Sequence, residues 1–159
     1  MKNYPSAASS SIFVWIQLGA ALFITALVVS AWVVPQLRLL HFLQALIYVA
    51  VVILARHNNP LGFGAGVTVA AVWNGLNLFV THLMQAGAVA FWSFLHTGHL
   101  QRLDTMMVTL GGIGHFILII SCLAAQFHTA QRKKWLNFAI GGTVAFAYLI
   151  LIVIIARPR

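Results

Sequence analysis

The stretch that decides the fold runs from Trp135 to Ala156 and reads WLNFAIGGTVAFAYLILIVIIA. It contains no Asp, Glu, Lys or Arg, and it is long enough to cross the hydrocarbon core of a bilayer, which takes roughly 20 apolar residues in a helix. Cations stand at both ends, Arg132–Lys134 before it and Arg157 and Arg159 after it, where membrane helices are commonly anchored among head groups. The stretch therefore predicts a transmembrane helix.

Four further apolar runs precede this one, and short polar breaks separate them. In one of these runs Trp73 and Trp92 stand 19 residues apart, which is about 28 Å of helix and close to the thickness of the hydrocarbon core. The glycine-containing stretch Leu61–Val69 is left over before that run, as an interfacial loop or a short re-entrant piece. The five runs predict spans at about 12–34, 39–55, 70–95, 105–127 and 135–156.

The composition agrees with a chain embedded in lipid. Of its 159 residues, 62% are hydrophobic and only 6% are charged, whereas a soluble domain carries about 25% charged residues. We therefore expect an all-α integral membrane bundle of five transmembrane helices, with residues 1–159 as a single domain surrounded by the lipid bilayer. The alternative is four spans, with one apolar run buried in the protein or lying at the membrane interface.

The charge of the chain bears on its partners and its orientation. The formal net charge is +8, with one acidic residue, Asp104, against nine Lys and Arg. These cations lie at the ends of apolar runs, which fits head groups and argues against nucleic acid as a partner. Five spans put the termini on opposite sides of the membrane, and the N-terminal side carries one cation more, which favours a cytoplasmic N-terminus. That side holds Lys2, Arg56, Arg132, Lys133 and Lys134, against Arg38, Arg102, Arg157 and Arg159 on the other.

Polar side chains recur at helical spacing within four of the predicted spans. Because polar groups are costly in hydrocarbon, they usually face the interior of a bundle, and we expect these residues to form one inward polar seam. The seam serves either as hydrogen-bonded contact between helices or as part of a functional site. Its members are Gln44, Tyr48, Asn74, Asn77, Gln85, Gln126, Asn137 and Tyr148.

Histidines suggest two candidate sites. His82 and His115 each lie halfway along a predicted span, so both are expected near the middle of the membrane, where a neutral imidazole can bind haem b or a metal ion. The alternative is that both are hydrogen-bonded packing residues. At the membrane surface, His96 and His99 have i, i+3 spacing and lie on the same side as His41, which suggests a second, metal-binding site.

No familiar catalytic motif accompanies these histidines. The sequence lacks G-x-S-x-G, H-E-x-x-H, C-x-x-C and P-loop patterns, which carry hydrolase, protease, redox and nucleotide chemistry. Three functions stay open: a haem b- or metal-binding membrane subunit of a redox complex, a channel or carrier for a small solute, and a non-catalytic accessory subunit. All three fit a chain that associates with other membrane subunits or with copies of itself. A visible spectrum of the purified protein would separate the first from the others.

Overall fold

Six α-helices make up a computed structural model of the chain, which describes residues 7–99 and 103–156 and has no β-strand in those ranges. A 3₁₀ turn, Pro35–Leu37, precedes the second helix, and a π-helical turn, Leu76–Val80, follows the third. Four residues used in counting charges, Lys2, Arg102, Arg157 and Arg159, lie outside the described residues. The helices are α1 (Ala7–Val33), α2 (Arg38–Arg56), α3 (Pro60–Gly75), α4 (Leu83–Thr97), α5 (Leu103–His128) and α6 (Lys134–Ile155).

Five of the helical stretches are long and apolar enough to cross a membrane, which confirms the predicted all-α bundle of five spans. Helix α1 packs along α5 and beside α2, while α3 packs against α6, α5 and α2. Helix α4 packs mainly on α5. The five spanning stretches are Ser10–Val33, Pro35–Arg56, Pro60–Val80, Leu103–His128 and Lys134–Ile155.

The third span begins ten residues earlier than the sequence suggested, so the predicted start near Ala70 is wrong. Helix α3 starts at Pro60, whose missing N–H suits the first turn of a helix, and the Asn59 side chain caps that turn by accepting a hydrogen bond from the Leu61 N–H at 3.0 Å. The leftover stretch Leu61–Val69 is therefore neither a loop nor a re-entrant piece. It is helical, and most of it is buried in the bundle.

Glycines explain both why the start of the third span was predicted wrongly and why helices of the bundle pack so closely. In Leu61–Val69 they read as loop residues, yet in the helix they let a neighbour come close: a Cβ on Gly64 would overlap the backbone carbonyl of Phe138 in α6. Helices α1 and α5 approach each other in the same way, since a Cβ on Gly19 would lie 2.7 Å from the carbonyl oxygen of Gly114, and the reverse distance is also 2.7 Å. Such close contact is typical of membrane helices.

Five membrane crossings would place the loop after the second span and the loop after the fourth span on the same side of the membrane, and these two loops are in contact. The Gln131 side chain, between α5 and α6, donates a hydrogen bond to the carbonyl of Asn58, between α2 and α3, at 3.0 Å. Arg56 and the cluster Arg132–Lys134 therefore lie at the same end of the bundle, as predicted. The cytoplasmic placement of that end remains a prediction.

Candidate functional site: a buried polar centre and an exposed polar break

The centre of the bundle is organised around His115, whose side chain is completely buried. Its Nε2 lies 2.7 Å from the hydroxyl of Tyr48, and its Nδ1 lies 2.9 Å from Oδ1 of Asn74. The ring of Phe23 stacks on the imidazole with 3.8 Å between centroids. Residues from α1, α2, α3 and α5 thus meet at one point, which we call the polar centre: Phe23, Tyr48, Asn74 and His115.

The hydrogen bonds define the protonation of the imidazole. An amide oxygen can only accept, so Nδ1 of His115 carries the proton and donates to Asn74. Nε2 then accepts from the Tyr48 hydroxyl. Both ring nitrogens of His115 are engaged, and the amide Nδ2 of Asn74 is the buried donor in the centre that has no hydrogen-bond partner among the described residues. The arrangement can hold four helices together and, as it stands, offers no lone pair of His115 to a ligand.

Other members of the predicted seam are placed separately from this centre. Gln44 is buried one helical turn before Tyr48 on α2, and Gln126 is completely buried near the end of α5, where it donates to the carbonyl of Lys134 at 3.0 Å. The Tyr148 hydroxyl donates to the carbonyl of Leu43 at 2.7 Å, which ties α6 to α2. Asn137 is partly buried at the start of α6. The structure therefore brings together only Tyr48, Asn74 and His115, with Gln44 nearby.

The remaining polar residues of the third span lie at an interruption of the helix, which we call the polar break (residues 76–85). The π-helical turn Leu76–Val80 is followed by His82, whose φ of 54° and ψ of 17° lie in the left-handed region. That conformation is uncommon for a residue other than glycine, although histidine adopts it more readily than most. Helix α4 begins only after it, so the predicted span 70–95 is not one continuous helix.

Contacts with α5 show how far the chain departs from a straight helix at the polar break. Asn74 meets His115, and a Cβ on Gly112 would meet the side chain of Met84. About ten residues of continuous helix would rise about 15 Å, whereas His115 and Gly112 are separated by only about 4.5 Å along α5. The chain between Asn74 and Met84 therefore does not continue as one straight helix beside α5.

The polar break lies at the end of the third spanning stretch. That stretch, Pro60–Val80, has 21 residues, or about 31 Å of helix, against a hydrocarbon core of about 30 Å. Thr81 and His82 follow it directly. Helix α4, which begins at Leu83, is not one of the five spanning stretches found among the described residues.

Side chains at the polar break face outward. Phe79 is 78% exposed, and Thr81, His82 and Gln85 are also exposed. Local bonds satisfy some of their polar groups: Thr81 Oγ1 donates to Asn77 Oδ1 at 3.3 Å, and the Gln85 amide donates to the Leu78 carbonyl at 3.3 Å. The prediction that Asn77 and Gln85 face the bundle interior is thus wrong for Gln85, while Asn77 is partly buried.

The two histidine pairings predicted from the sequence are not formed. His115 is enclosed and bonded to Tyr48 and Asn74, whereas His82 is exposed at the polar break. The depth predicted for His82 assumed an unbroken span 70–95, and the helix is interrupted at His82. His41 lies beside Trp32 and Arg38 in a groove between α1 and α2, and Nδ1 of His96 bonds to the Trp92 carbonyl at 3.0 Å. Among residues 7–99 and 103–156, no three His, Cys, Asp or Glu side chains form a group that could hold a metal ion, His41, His96 and His99 included.

Sequence reasoning missed the polar break itself. A signal was present, because Asn74, Asn77, Thr81, His82 and Gln85 fall within one short segment of a single span. That is a higher density of polar residues than one inward face requires. It also missed Phe23, an apolar residue that periodicity alone does not connect with a histidine 92 positions away.

Comparison with other proteins adds no relative: no family model, curated protein or solved structure matches this chain.

Proposed function

We propose that the chain is a non-catalytic membrane subunit that works by associating with other protein in the bilayer, and that the polar break is its contact surface. The observation that carries this proposal is the group of exposed polar side chains at the polar break, Thr81, His82 and Gln85, on the outer surface of the bundle. Polar side chains and irregular backbone are costly next to lipid, and a neighbouring protein removes that cost. A protein that covers the polar break would supply partners for these side chains.

The polar centre supports a structural role for the seam. His115 has no exposed surface, and both of its ring nitrogens are occupied. A solute pathway along the seam would have to displace Phe23, which lies directly on the imidazole. The channel or carrier function is therefore less well supported than the role of an accessory subunit.

A haem b or metal subunit of a redox complex remains a prediction with less support. Ligation by His115 would require it to give up its bond to Tyr48 or to Asn74, and His82 would have to find its second ligand outside this chain. The test is the visible spectrum of the purified protein, oxidised and reduced with dithionite. A Soret band that disappears in His115→Ala or His82→Ala would restore this function.

The test of the proposed function is photocrosslinking in native membranes. A benzophenone amino acid replaces Phe79, which is 78% exposed at the polar break, or, as the matched control, Phe42, which is 63% exposed on α2. We expect the probe at position 79 to give adducts of higher protein mass and the probe at position 42 to react with lipid. Reaction with lipid alone at both positions would contradict the proposal.

A further inference from the structure

Helices α2, α3 and α6 enclose an apolar groove on one side of the bundle, with a volume of about 530 Å³. Its floor is formed by small buried residues such as Ala65 and Ala145, which are 9% and 1% exposed. At one end the Tyr148 hydroxyl ties α6 to α2 through its bond to the Leu43 carbonyl. The groove is therefore a concavity between three helices and not one exposed helix face. We call it the lateral groove, and the residues that line it include Ala50, Leu54, Leu61, Ala65, Gly141 and Tyr148.

The lateral groove begins at the end of the bundle that carries Arg56 and runs toward the middle of the membrane. Its lining on α2 reaches Leu54, two residues before that helix ends at Arg56. On α3 it reaches Leu61, the residue after the helix starts at Pro60. From Leu54 to Leu46, which also lines it, the groove extends about 12 Å along α2. Since one leaflet contributes about half of a hydrocarbon core of about 30 Å, the groove has the depth and direction of one acyl chain.

Polar residues of α6 continue the lateral groove toward the head groups. Lys133, Asn137 and Gly141 stand four residues apart, so the first two follow the face of α6 on which Gly141 lines the groove. Gly141 packs directly on Leu61 at the start of α3, which places Asn137 about 6 Å and Lys133 about 12 Å farther out along α6. The headgroup layer adds about 5–8 Å outside the hydrocarbon. The Asn137 amide and the exposed, flexible Lys133 side chain are thus within reach of a lipid phosphate.

The charge at this end of the bundle suits an anionic headgroup. Arg56 and the cluster Arg132–Lys134 lie here, joined through the contact between their loops, whereas the single acidic side chain of the sequence, Asp104, lies in the first turn of α5 at the opposite end. The Nζ of Lys134 donates to two backbone carbonyls, which leaves Lys133 as the lysine of the cluster that combines an exposed side chain with the face of the groove. Basic sites between membrane helices hold anionic headgroups in this way.

We infer that the lateral groove binds one anionic phospholipid, with an acyl chain along Ala50 and Ala65 and its phosphate at Lys133 and Asn137. The bound chain fills the space that side chains leave open between α2 and α6. The site is independent of the polar break, which follows the other end of α3, so it stands or falls separately from the proposed function. Lipid that exchanges over this surface without regard to headgroup charge is the competing outcome.

Native mass spectrometry of the purified full-length protein tests the headgroup contact. The protein in detergent is titrated with anionic dioleoylphosphatidylglycerol or with zwitterionic dioleoylphosphatidylcholine, and we expect the anionic lipid to bind first and at lower concentration. Lys133→Gln should weaken binding of the anionic lipid about fivefold and leave the zwitterionic lipid unchanged. Arg38→Gln, which removes an exposed cation at the other end of the bundle, is the control and should change neither. Equal affinity for the two lipids, or equal loss in both variants, would overturn a specific headgroup site.

A second pair of variants tests whether the acyl chain occupies the lateral groove. Ala50 lines the groove at an exposed position, so Ala50→Phe fills the groove without disturbing the buried core, and we expect it to abolish binding of the first anionic lipid. Ala139→Phe makes the same change at an exposed alanine of α6 outside the groove and should have no effect. Undiminished binding in Ala50→Phe would place the lipid elsewhere and overturn the inference, and if that variant does not fold, the comparison of Lys133→Gln with Arg38→Gln decides.

Discussion

The two histidines predicted at the middle of the membrane have opposite surroundings. His115 is enclosed, and its ring nitrogens lie 2.7 Å and 2.9 Å from protein partners. His82 stands at the exposed end of a helix interruption with a left-handed backbone. In the polar centre, the cost of placing polar groups in hydrocarbon is removed by neighbouring helices of the same chain. At the polar break, hydrogen bonds within the segment satisfy some of the polar groups, Thr81 to Asn77 and Gln85 to Leu78, while the side chains of Thr81, His82 and Gln85 stay exposed.

The largest expected effect distinguishes the two histidines. His115→Ala removes a fully buried ring and leaves the Tyr48 hydroxyl and the Asn74 amide without their partner, so we expect the free energy of unfolding to fall by about 3–5 kcal/mol. His82→Asn keeps a residue that tolerates the left-handed conformation and should change it by less than about 0.5 kcal/mol. Unfolding by SDS in mixed micelles measures both. Similar losses for the two variants would mean that the two sites do not differ as described.

The helix contacts that enclose the polar centre give the second prediction. A methyl group added in Gly114→Ala would lie 2.7 Å from the carbonyl oxygen of Gly19, and backbone cannot yield as a flexible side chain can. We expect a loss of about 1–3 kcal/mol in the free energy of unfolding.

Gly75→Ala is the matched control for that contact. It is also a helical glycine, but a Cβ there meets nothing within 4 Å. Alanine favours a helix over glycine by about 1 kcal/mol, so this variant should be neutral or slightly more stable. A loss in Gly75→Ala equal to that in Gly114→Ala would contradict close packing of α1 on α5.

How much the sequence could predict differs between the two regions for a physical reason. Spans are set by length and hydropathy, which are local, so the predicted limits 105–127 and 135–156 agree closely with Leu103–His128 and Lys134–Ile155. The prediction for the third span was wrong because counting residues along a helix assumes that the helix is unbroken. The polar break changes the direction in which every later side chain points. Periodicity predicted that Tyr48 and His115 lie on inward faces, yet which polar residues bond to each other depends on how helices pack, and no single span encodes that.

The backbone of the polar break gives the third prediction. A non-glycine residue in the left-handed region costs roughly 1 kcal/mol or more, and glycine adopts it without that cost. His82→Gly should therefore raise the free energy of unfolding by up to about 1 kcal/mol, whereas His82→Val, with a β-branched side chain, should lower it by more than that. A ranking with valine above glycine would show that residue 82 continues a regular helix and that the break is absent.

The smallest expected effect concerns the contact between chains. Gln85→Leu removes an exposed amide from the polar break, while leucine is readily accommodated by lipid in the separated chain. An interhelical hydrogen bond in a membrane is worth about 0.6 kcal/mol on average, which corresponds to about threefold weaker association. Energy transfer between labelled copies at varied protein-to-lipid ratio measures this change, and Gln17→Leu, at an exposed glutamine on α1, is the matched control. If both substitutions weaken association equally, exposed amides act generally and the polar break has no special role; if only Gln85→Leu does, the surface through which the copies meet includes the polar break.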